Sequence, residues 1–152
     1  MKIRDYAKED LPAVLAIQGD CPQAAQWLAA DYTNTPGPLL LVAEVEVEAA
    51  SKVAGFAAFQ QVLDEADLRN LAVSPQHRRR GLARALLEAA CHRLRQTGTK
   101  RLFLEVRVTN EPAVSLYQSL DFVLHSRRKN YYRDPDEDAY VLCLELLPPE
   151  PA

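Results

Sequence analysis

A short basic segment near the middle of the chain has residue types and spacing that suit the binding of an anion. Arg78, Gly81 and Ala83 have the spacing R-x-x-G-x-A. A short apolar run precedes them, which indicates the end of a buried strand, and apolar residues at helical spacing follow them. The first N–H groups of a helix have no partner inside the helix and lie at the positive end of its dipole. A pyrophosphate would suit this point.

The side chains of the segment favour the same interpretation. Gly81 allows the backbone to come close to an anion, and Ala83 keeps the next helical turn slim. Four arginines add positive charge around the same point: Arg78, Arg79, Arg80 and Arg84. The pattern is neither the Rossmann nor the Walker phosphate motif. The alternative is that the segment is only a solvated basic helix start.

Length and charge limit the class of protein. With 152 residues, 48% of them apolar and 26% charged, we expect a single domain over 1–147 with a frayed tail at 148–152. A net charge of -3 argues against a nucleic-acid partner, because duplex-binding proteins carry a broad basic excess. Local basic patches on an acidic chain suit a small anionic ligand better.

Cysteine and histidine usage indicates neither a disulfide framework nor a metal site. The three cysteines have no C-x-x-C spacing, and the three histidines have no ligand spacing. We therefore predict buried, inert thiols and no metal. The N-terminus has no apolar leader and no stretch is long enough to span a membrane, so a cytoplasmic protein without a membrane partner is expected.

Hydrophobic periodicity predicts a mixed α/β sheet with helices on both faces. The predicted strands cover 2–6, 39–47, 52–61, 65–73, 101–108, 122–132 and 139–147, and the predicted helices cover 10–19, 22–32, 81–96 and 110–120, with a turn at 34–38. In the strand at 65–73, Leu68 is out of phase with Leu71 and Val73, which indicates a β-bulge between them. Asn110 is a good N-cap, and Asp121 is expected in the left-handed conformation.

Three longer motifs together resemble a known family. The segments NLAVSPQHRRRGLARALLEAA, LFLEVRVTNEPAVSLYQSLDF and RRKNYY follow the motifs of the GNAT acetyltransferases in order. Within that family they are similar to the RimI-type enzymes, which acetylate the N-terminal amine of a ribosomal protein. The resemblance implies a mostly antiparallel, seven-stranded sheet with about four helices. It also implies a splay between the fourth and fifth strands, into which acetyl-CoA wedges.

The resemblance also implies roles for individual residues in binding acetyl-CoA. Main-chain groups at the end of the fourth strand would pair with the pantetheine arm, main-chain amides of the basic turn would hold the pyrophosphate, and an asparagine would contact the cofactor. In chain order these residues are Leu71, Ala72 and Val73, then Arg79, Arg80, Gly81, Leu82, Ala83 and Arg84, then Asn110.

Two further residues match the proton-transfer groups of the RimI-type enzymes. Glu105 matches the general base, which an α-amine with a pKa near 8 requires before it can attack a thioester. Tyr117 matches the general acid that protonates the leaving thiolate. From the residues alone, Glu105 could instead face solvent or pair with Arg107, and Tyr117 could be a core aromatic. The oxyanion would be held by a main-chain N–H near Val73.

The acceptor amine is less well specified than the donor. Residues 18–38 have no match to the family, and the matching segment Asn130-Tyr131-Tyr132 implies only proximity to the acceptor channel. The leading acceptor is a protein N-terminus. A lysine side chain or a small-molecule amine remains an alternative, as does a CoA-binding sensor without catalysis. The sequence does not predict an oligomeric state.

Overall fold

The computed structural model describes residues 1–33 and 39–146, and these form one seven-stranded sheet. The strands are β1 (Lys2–Asp5), β2 (Leu39–Val47), β3 (Ala50–Val62), β4 (Glu65–Val73), β5 (Arg101–Arg107), β6 (Val123–Tyr132) and β7 (Glu137–Glu145). Their spatial order is β1-β2-β3-β4-β5-β7-β6. Only the β4–β5 pair is parallel. The predicted mixed, mostly antiparallel sheet is confirmed.

Within the described residues, four α-helices cover the two faces of this sheet, as the sequence predicted. They are α1 (Leu11–Gly19), α2 (Ala29–Thr33), α3 (Leu82–Gln96) and α4 (Glu111–Ser119). On one face α1 buries Val14 and Ile17 in a cluster with Phe56 of β3. On the other face α3 and α4 pack against a larger cluster that contains Phe59. The helices thus define an α1/α2 face and an α3/α4 face.

The sheet opens between its fourth and fifth strands. Pairing of β4 with β5 is limited to Glu65–Arg101, Ala66–Leu102 and Asp67–Phe103. Beyond these pairs, β5 supplies no partner to the main chain of β4. Parallel neighbours with so short a ladder leave a gap at the carboxyl end of both strands. The predicted splay is therefore confirmed.

The predicted β-bulge lies directly beside this opening. Asn70 pairs with Ala58 and Leu68 pairs with Phe59, so Arg69 between them has no opposing residue. The extra residue restores the phase of the strand, because Leu68 now packs on the same core cluster as Leu71 and Val73. Asn70 consequently points to the α1/α2 face, where its neighbour Ala72 also packs.

The prediction of one helix over 22–32 is wrong. Only Ala29–Thr33 is helical, and residues 22–28 are irregular. The main chain there bonds to side chains instead of to its own helical turn: Ala25 to Asn70, and Trp27 to Gln18. The other predicted elements are confirmed, with ends that agree or are shifted by one or two residues. The predicted turn at 34–38 and the tail at 148–152 lie outside the described residues.

The predicted local conformations are also confirmed. The Asn110 side chain caps α4 by accepting from the Ala113 N–H at 3.4 Å, and Asp121 has φ +74°.

Cys21, Cys91 and Cys143 are buried and form no disulfide. In the described part of the chain, no helix combines the length and the apolar character needed to cross a bilayer.

Candidate active site

The opening between β4 and β5 forms a cleft of about 1310 Å³. Residues from both faces of the sheet line it. Leu104 and Tyr117 belong to the core cluster of the α3/α4 face, whereas Asn70 bonds to the segment between α1 and α2 on the opposite face. The cleft therefore passes through the sheet, and two ligands could meet in it from opposite sides.

On the α3/α4 side the cleft begins at the end of β4. Leu71, Ala72 and Val73 line it, at the stretch of β4 that has no pairing with β5. An exposed strand edge of this kind offers N–H and C=O groups to an extended ligand with amide groups. This arrangement suits the pantetheine arm that the sequence resemblance assigned to these residues.

The basic turn follows at the mouth of the cleft. Arg79 and Gly81 both have left-handed backbone, with φ +65° and +79°. The first helical hydrogen bond of α3 runs from the Ala85 N–H to the Gly81 carbonyl at 3.0 Å. The N–H groups of residues 82–84 precede that bond and have no partner inside the helix. An N-terminus with such unpaired N–H groups is suited to an anion.

The structure brings only part of the predicted cofactor-binding set to the cleft wall. Arg78, Arg79, Leu82, Ala83 and Asn110 line the cleft, whereas Arg80, Gly81 and Arg84 lie beside it in the exposed turn and first helical turn.

Two of these arginines are engaged with neighbouring side chains. The Arg80 guanidinium lies 3.4 Å from Nδ1 of His77, and the Arg84 guanidinium donates to Oγ of Ser119 on α4 at 2.5 Å. Ligand binding would require them to exchange these partners or to act through their charge alone.

Glu105 lies on β5 in the phase opposite to the buried residues Leu104 and Val106. Its side chain is 30% exposed, lines the cleft, and has one oxygen 3.7 Å from a guanidinium nitrogen of Arg128. The Tyr131 hydroxyl donates a hydrogen bond to the Glu105 carboxylate, and this bond is the main cause of the raised pKa of Tyr131. The alternative pairing with Arg107 is not formed.

Arg107 instead pairs with Glu137 at 3.2 Å. Asp67 also lines the cleft, and burial raises the pKa of its carboxyl group.

Tyr117 reaches the cleft from α4. It is 6% exposed, and its ring packs against Phe122 with centroids 5.7 Å apart. Burial raises the pKa of its hydroxyl well above the ordinary value of 10. The group is therefore a neutral hydrogen-bond donor at neutral pH. Tyr117 is therefore both a core aromatic and a cleft residue.

Sequence reasoning assigned no individual role to the polar side chains on the α1/α2 side of the cleft, although it placed Tyr131 near the acceptor channel. Asn70, Gln18 and Tyr32 hold the segment between α1 and α2, and Tyr131 and Arg128 contact Glu105. One signal was present: an asparagine at position 70, in alternation with the apolar residues Leu68 and Ala72 of a predicted strand, requires hydrogen-bond partners if it is buried.

Comparison with known proteins identifies the family. Residues 2–122 match the profile of the acetyltransferase (GNAT) family. The chain belongs to the GNAT acetyltransferase family. It is therefore an N-acetyltransferase, and enzymes of this family use acetyl-CoA as the acetyl donor. The residues at 1–33 and 39–146 contain no cluster of three potential metal ligands.

Individual GNAT relatives resemble the whole chain. It is 40% identical over 139 residues to the ribosomal protein bS18-alanine N-acetyltransferase of Escherichia coli strain K12, covering 90% of this chain and 92% of that one. The crystal structure of the ribosomal-protein-S18-alanine N-acetyltransferase from Escherichia coli matches with TM-score 0.81, 37% identity and coverage of 95% and 93%. Ard1 from Thermoplasma volcanium matches with TM-score 0.83, 26% identity and coverage of 96% and 97%.

Proposed function

We propose that this GNAT enzyme transfers the acetyl group of acetyl-CoA to the N-terminal α-amine of a protein, with an N-terminal alanine of a ribosomal protein as the leading acceptor. The observation that carries this proposal is the cleft through the sheet, which has Glu105 on the α1/α2 side and Tyr117 on the α3/α4 side. The 40% identity to an enzyme named for alanine N-acetylation of bS18 supports the acceptor class. A ribosomal acceptor would place the reaction in the cytoplasm.

The residues present fit acetyl-CoA. The unpaired edge of β4 at residues 71–73 would hold the pantetheine arm, and the N–H groups of residues 82–84 with Arg78 and Arg79 would hold the pyrophosphate. Asn110 would contact the cofactor from the start of α4. When bound there, acetyl-CoA supplies an activated acetyl thioester. A main-chain N–H near Val73 would stabilise the negative charge that develops on the carbonyl oxygen.

Glu105 would act as the general base. An α-amine has a pKa near 8, so it enters the cleft mainly as an ammonium group at pH 7. The Glu105 carboxylate faces the open side of the cleft, where it can take up the proton of the ammonium group before the resulting neutral amine attacks. Tyr131 and Arg128 contact this carboxylate and would hold it in place.

Tyr117 would act as the general acid on the other side. Its buried hydroxyl remains protonated at the pH of the reaction because its pKa is raised. It can donate that proton to the departing thiolate. The amine attacks directly in this scheme, so no acyl-enzyme forms on a cysteine.

A peptide panel tests the proposed acceptor. One peptide begins with a free alanine and contains one internal lysine, a matched peptide has its N-terminus blocked, and a third set consists of small primary amines. We expect release of CoA with the first peptide only, and mass spectrometry should place the acetyl group on its α-amine. Acetylation of the blocked peptide alone, or of small amines alone, would contradict the proposal. Stoichiometric binding without turnover would favour a CoA sensor.

A further inference from the structure

An irregular segment forms one wall of the cleft on the α1/α2 side. We call residues 21–27 the acceptor wall. Residues 21–25 and Trp27 line the cleft, across the opening from Glu105. The wall has no helical or sheet hydrogen bonds that would fix its position relative to the sheet.

Two buried side chains join this wall to the sheet. At the first residue of the wall the Cys21 thiol donates to the Val73 carbonyl of β4 at 3.3 Å, and at its centre Asn70 of β4 bonds to the main chain. The Asn70 amide donates to the Ala25 carbonyl at 3.0 Å and accepts from the Ala25 N–H at 3.1 Å. This pair of bonds has the pattern of one antiparallel bridge, with a side-chain amide in the place of a neighbouring strand. Asn70 is only 4% exposed, so the loss of these bonds would leave polar groups without water.

A second set of bonds extends from the same amide. Its other N–H group donates to the Tyr32 hydroxyl at 2.9 Å, and that hydroxyl donates to Oε1 of Gln18. Gln18 then donates to the carbonyl of Trp27 at 2.8 Å. Every donor in this chain points the same way, so the bonds reinforce one another. The wall is thus held at Ala25 directly and at Trp27 through two intermediaries.

The place of Asn70 in the strand gives these bonds a consequence for catalysis. It follows the bulge residue Arg69 and precedes residues 71–73, the donor-binding edge of β4. The bulge turns the Asn70 side chain toward the wall while Leu71 packs on the opposite face. The strand that would hold the acetyl donor is therefore the strand that holds the acceptor wall.

We propose that Asn70 is a positioning residue that sets the acceptor wall at a fixed distance from the donor strand and thereby determines how tightly the acceptor binds. This inference rests on the proposed function only in assigning the α1/α2 side of the cleft to the acceptor. It requires that the Asn70 hydrogen bonds affect acceptor binding more than donor binding or overall folding. Disruption of the wall then lowers acceptor affinity and leaves donor affinity unchanged.

Three variants test this inference. Asn70→Ala removes the direct link to Ala25 and the indirect link to Trp27, whereas Tyr32→Phe removes only the indirect link to Trp27. Tyr6→Phe is the matched control. Tyr6 packs against the core cluster that contains Tyr32, and its buried hydroxyl has no hydrogen-bond partner among the described residues. For each variant, KM and kcat are measured with the acceptor, the Kd of acetyl-CoA is measured by calorimetry, and Tm is measured by thermal unfolding.

We expect KM of the acceptor to rise about tenfold in Asn70→Ala, which removes two links to the wall, and about threefold in Tyr32→Phe, which removes one. The Kd of acetyl-CoA should stay within twofold, and Tyr6→Phe should behave as the wild type. Unchanged acceptor KM in Tyr32→Phe and Asn70→Ala would overturn the inference. A rise in the Kd of acetyl-CoA equal to the rise in KM would also overturn it. If Asn70→Ala does not fold, Tyr32→Phe against Tyr6→Phe decides.

These results are separable from the proposed function. The acceptor in the assay is the amine that the wild-type enzyme acetylates in the peptide panel, whichever that is. A wild-type enzyme that acetylates only small amines would contradict the proposed N-terminal acceptor. The KM of that amine in the Asn70 and Tyr32 variants would still confirm or overturn the positioning role.

Discussion

Replacement of Glu105 by glutamine tests the assignment of the general base. The change keeps the size of the side chain and an oxygen that can accept a hydrogen bond from Tyr131. It removes the charge that faces Arg128 at 3.7 Å and the ability to take up a proton. Since Glu105 is not part of the donor-binding edge of β4 or of the basic turn, the affinity for acetyl-CoA should change little.

The size of the effect should depend on pH. A general base contributes about 10²- to 10⁴-fold to the rate, and we expect a loss of that order in kcat/KM at pH 7. Without the base, only the neutral form of the acceptor can react. With an α-amine pKa near 8, that form is about 9% of the total at pH 7 and about 91% at pH 9. The ratio of wild-type to variant rates should therefore shrink by about tenfold over this interval.

The assay follows CoA release from an alanine-starting peptide between pH 6.5 and 9, with acetyl-CoA affinity measured in parallel. Glu46→Gln is the matched control, because it makes the same change at an exposed position of β2 that does not line the cleft. An unchanged rate in Glu105→Gln, or a loss that is the same at every pH, would refute the role of Glu105 as the base.

Three further predictions concern the turn, the acid and the fold. At Gly81 an added Cβ meets no atom within 4 Å, so the strain of a left-handed alanine is the only cost of Gly81→Ala. We expect the free energy of unfolding to fall by about 1–2 kcal/mol, which corresponds to about 2–8 °C in Tm. Gly81→Asn should cost less, and an alanine variant as stable as wild type would contradict this reasoning. The raised pKa of Tyr117 keeps its hydroxyl protonated, so the kcat of the wild-type enzyme should not fall between pH 8 and 10. Tyr117→Phe should lower kcat about 10²-fold. A fall in the wild-type kcat below pH 10 would exclude Tyr117 as the acid. Hydrogen bonds from Arg4 lower the pKa of the Asp10 carboxyl from its ordinary value of 3.8. The ionised carboxylate therefore stabilises the fold above that pH, and this stabilisation is lost as the pH falls. Asp10→Asn should therefore cost about 1.5–3 kcal/mol at pH 7, and a Tm difference that does not narrow in acid would be the contrary result.

The sequence predicted the local backbone structure around Arg69 and Gly81 well because short-range patterns determine it. The bulge near Arg69 was visible as a break in the alternation of apolar residues, and the helix start after Gly81 was visible from the glycine and the apolar spacing behind it. These features depend on neighbours in the chain. The splay followed from the resemblance to the GNAT family.

The acceptor side was predicted poorly because long-range contacts determine it. Residues 22–28 have helix-forming composition, yet the Ala25 main chain bonds to Asn70, which lies 45 positions away. Local propensity carries no information about such a partner. In the same way, the choice of Arg107 between Glu105 and Glu137 depends on the β5–β7 register, which places it opposite Ala139. Periodicity alone left that choice open.

The most direct measurement is a crystal structure with CoA and an acceptor peptide that begins with alanine. The pyrophosphate should contact the main-chain amides of residues 82–84, and the sulfur should lie between Val73 and Tyr117. The peptide amine should enter from the α1/α2 side, between the acceptor wall and Glu105. CoA bound away from the β4–β5 opening, or a peptide amine on the α3/α4 side, would contradict the proposed arrangement of donor and acceptor.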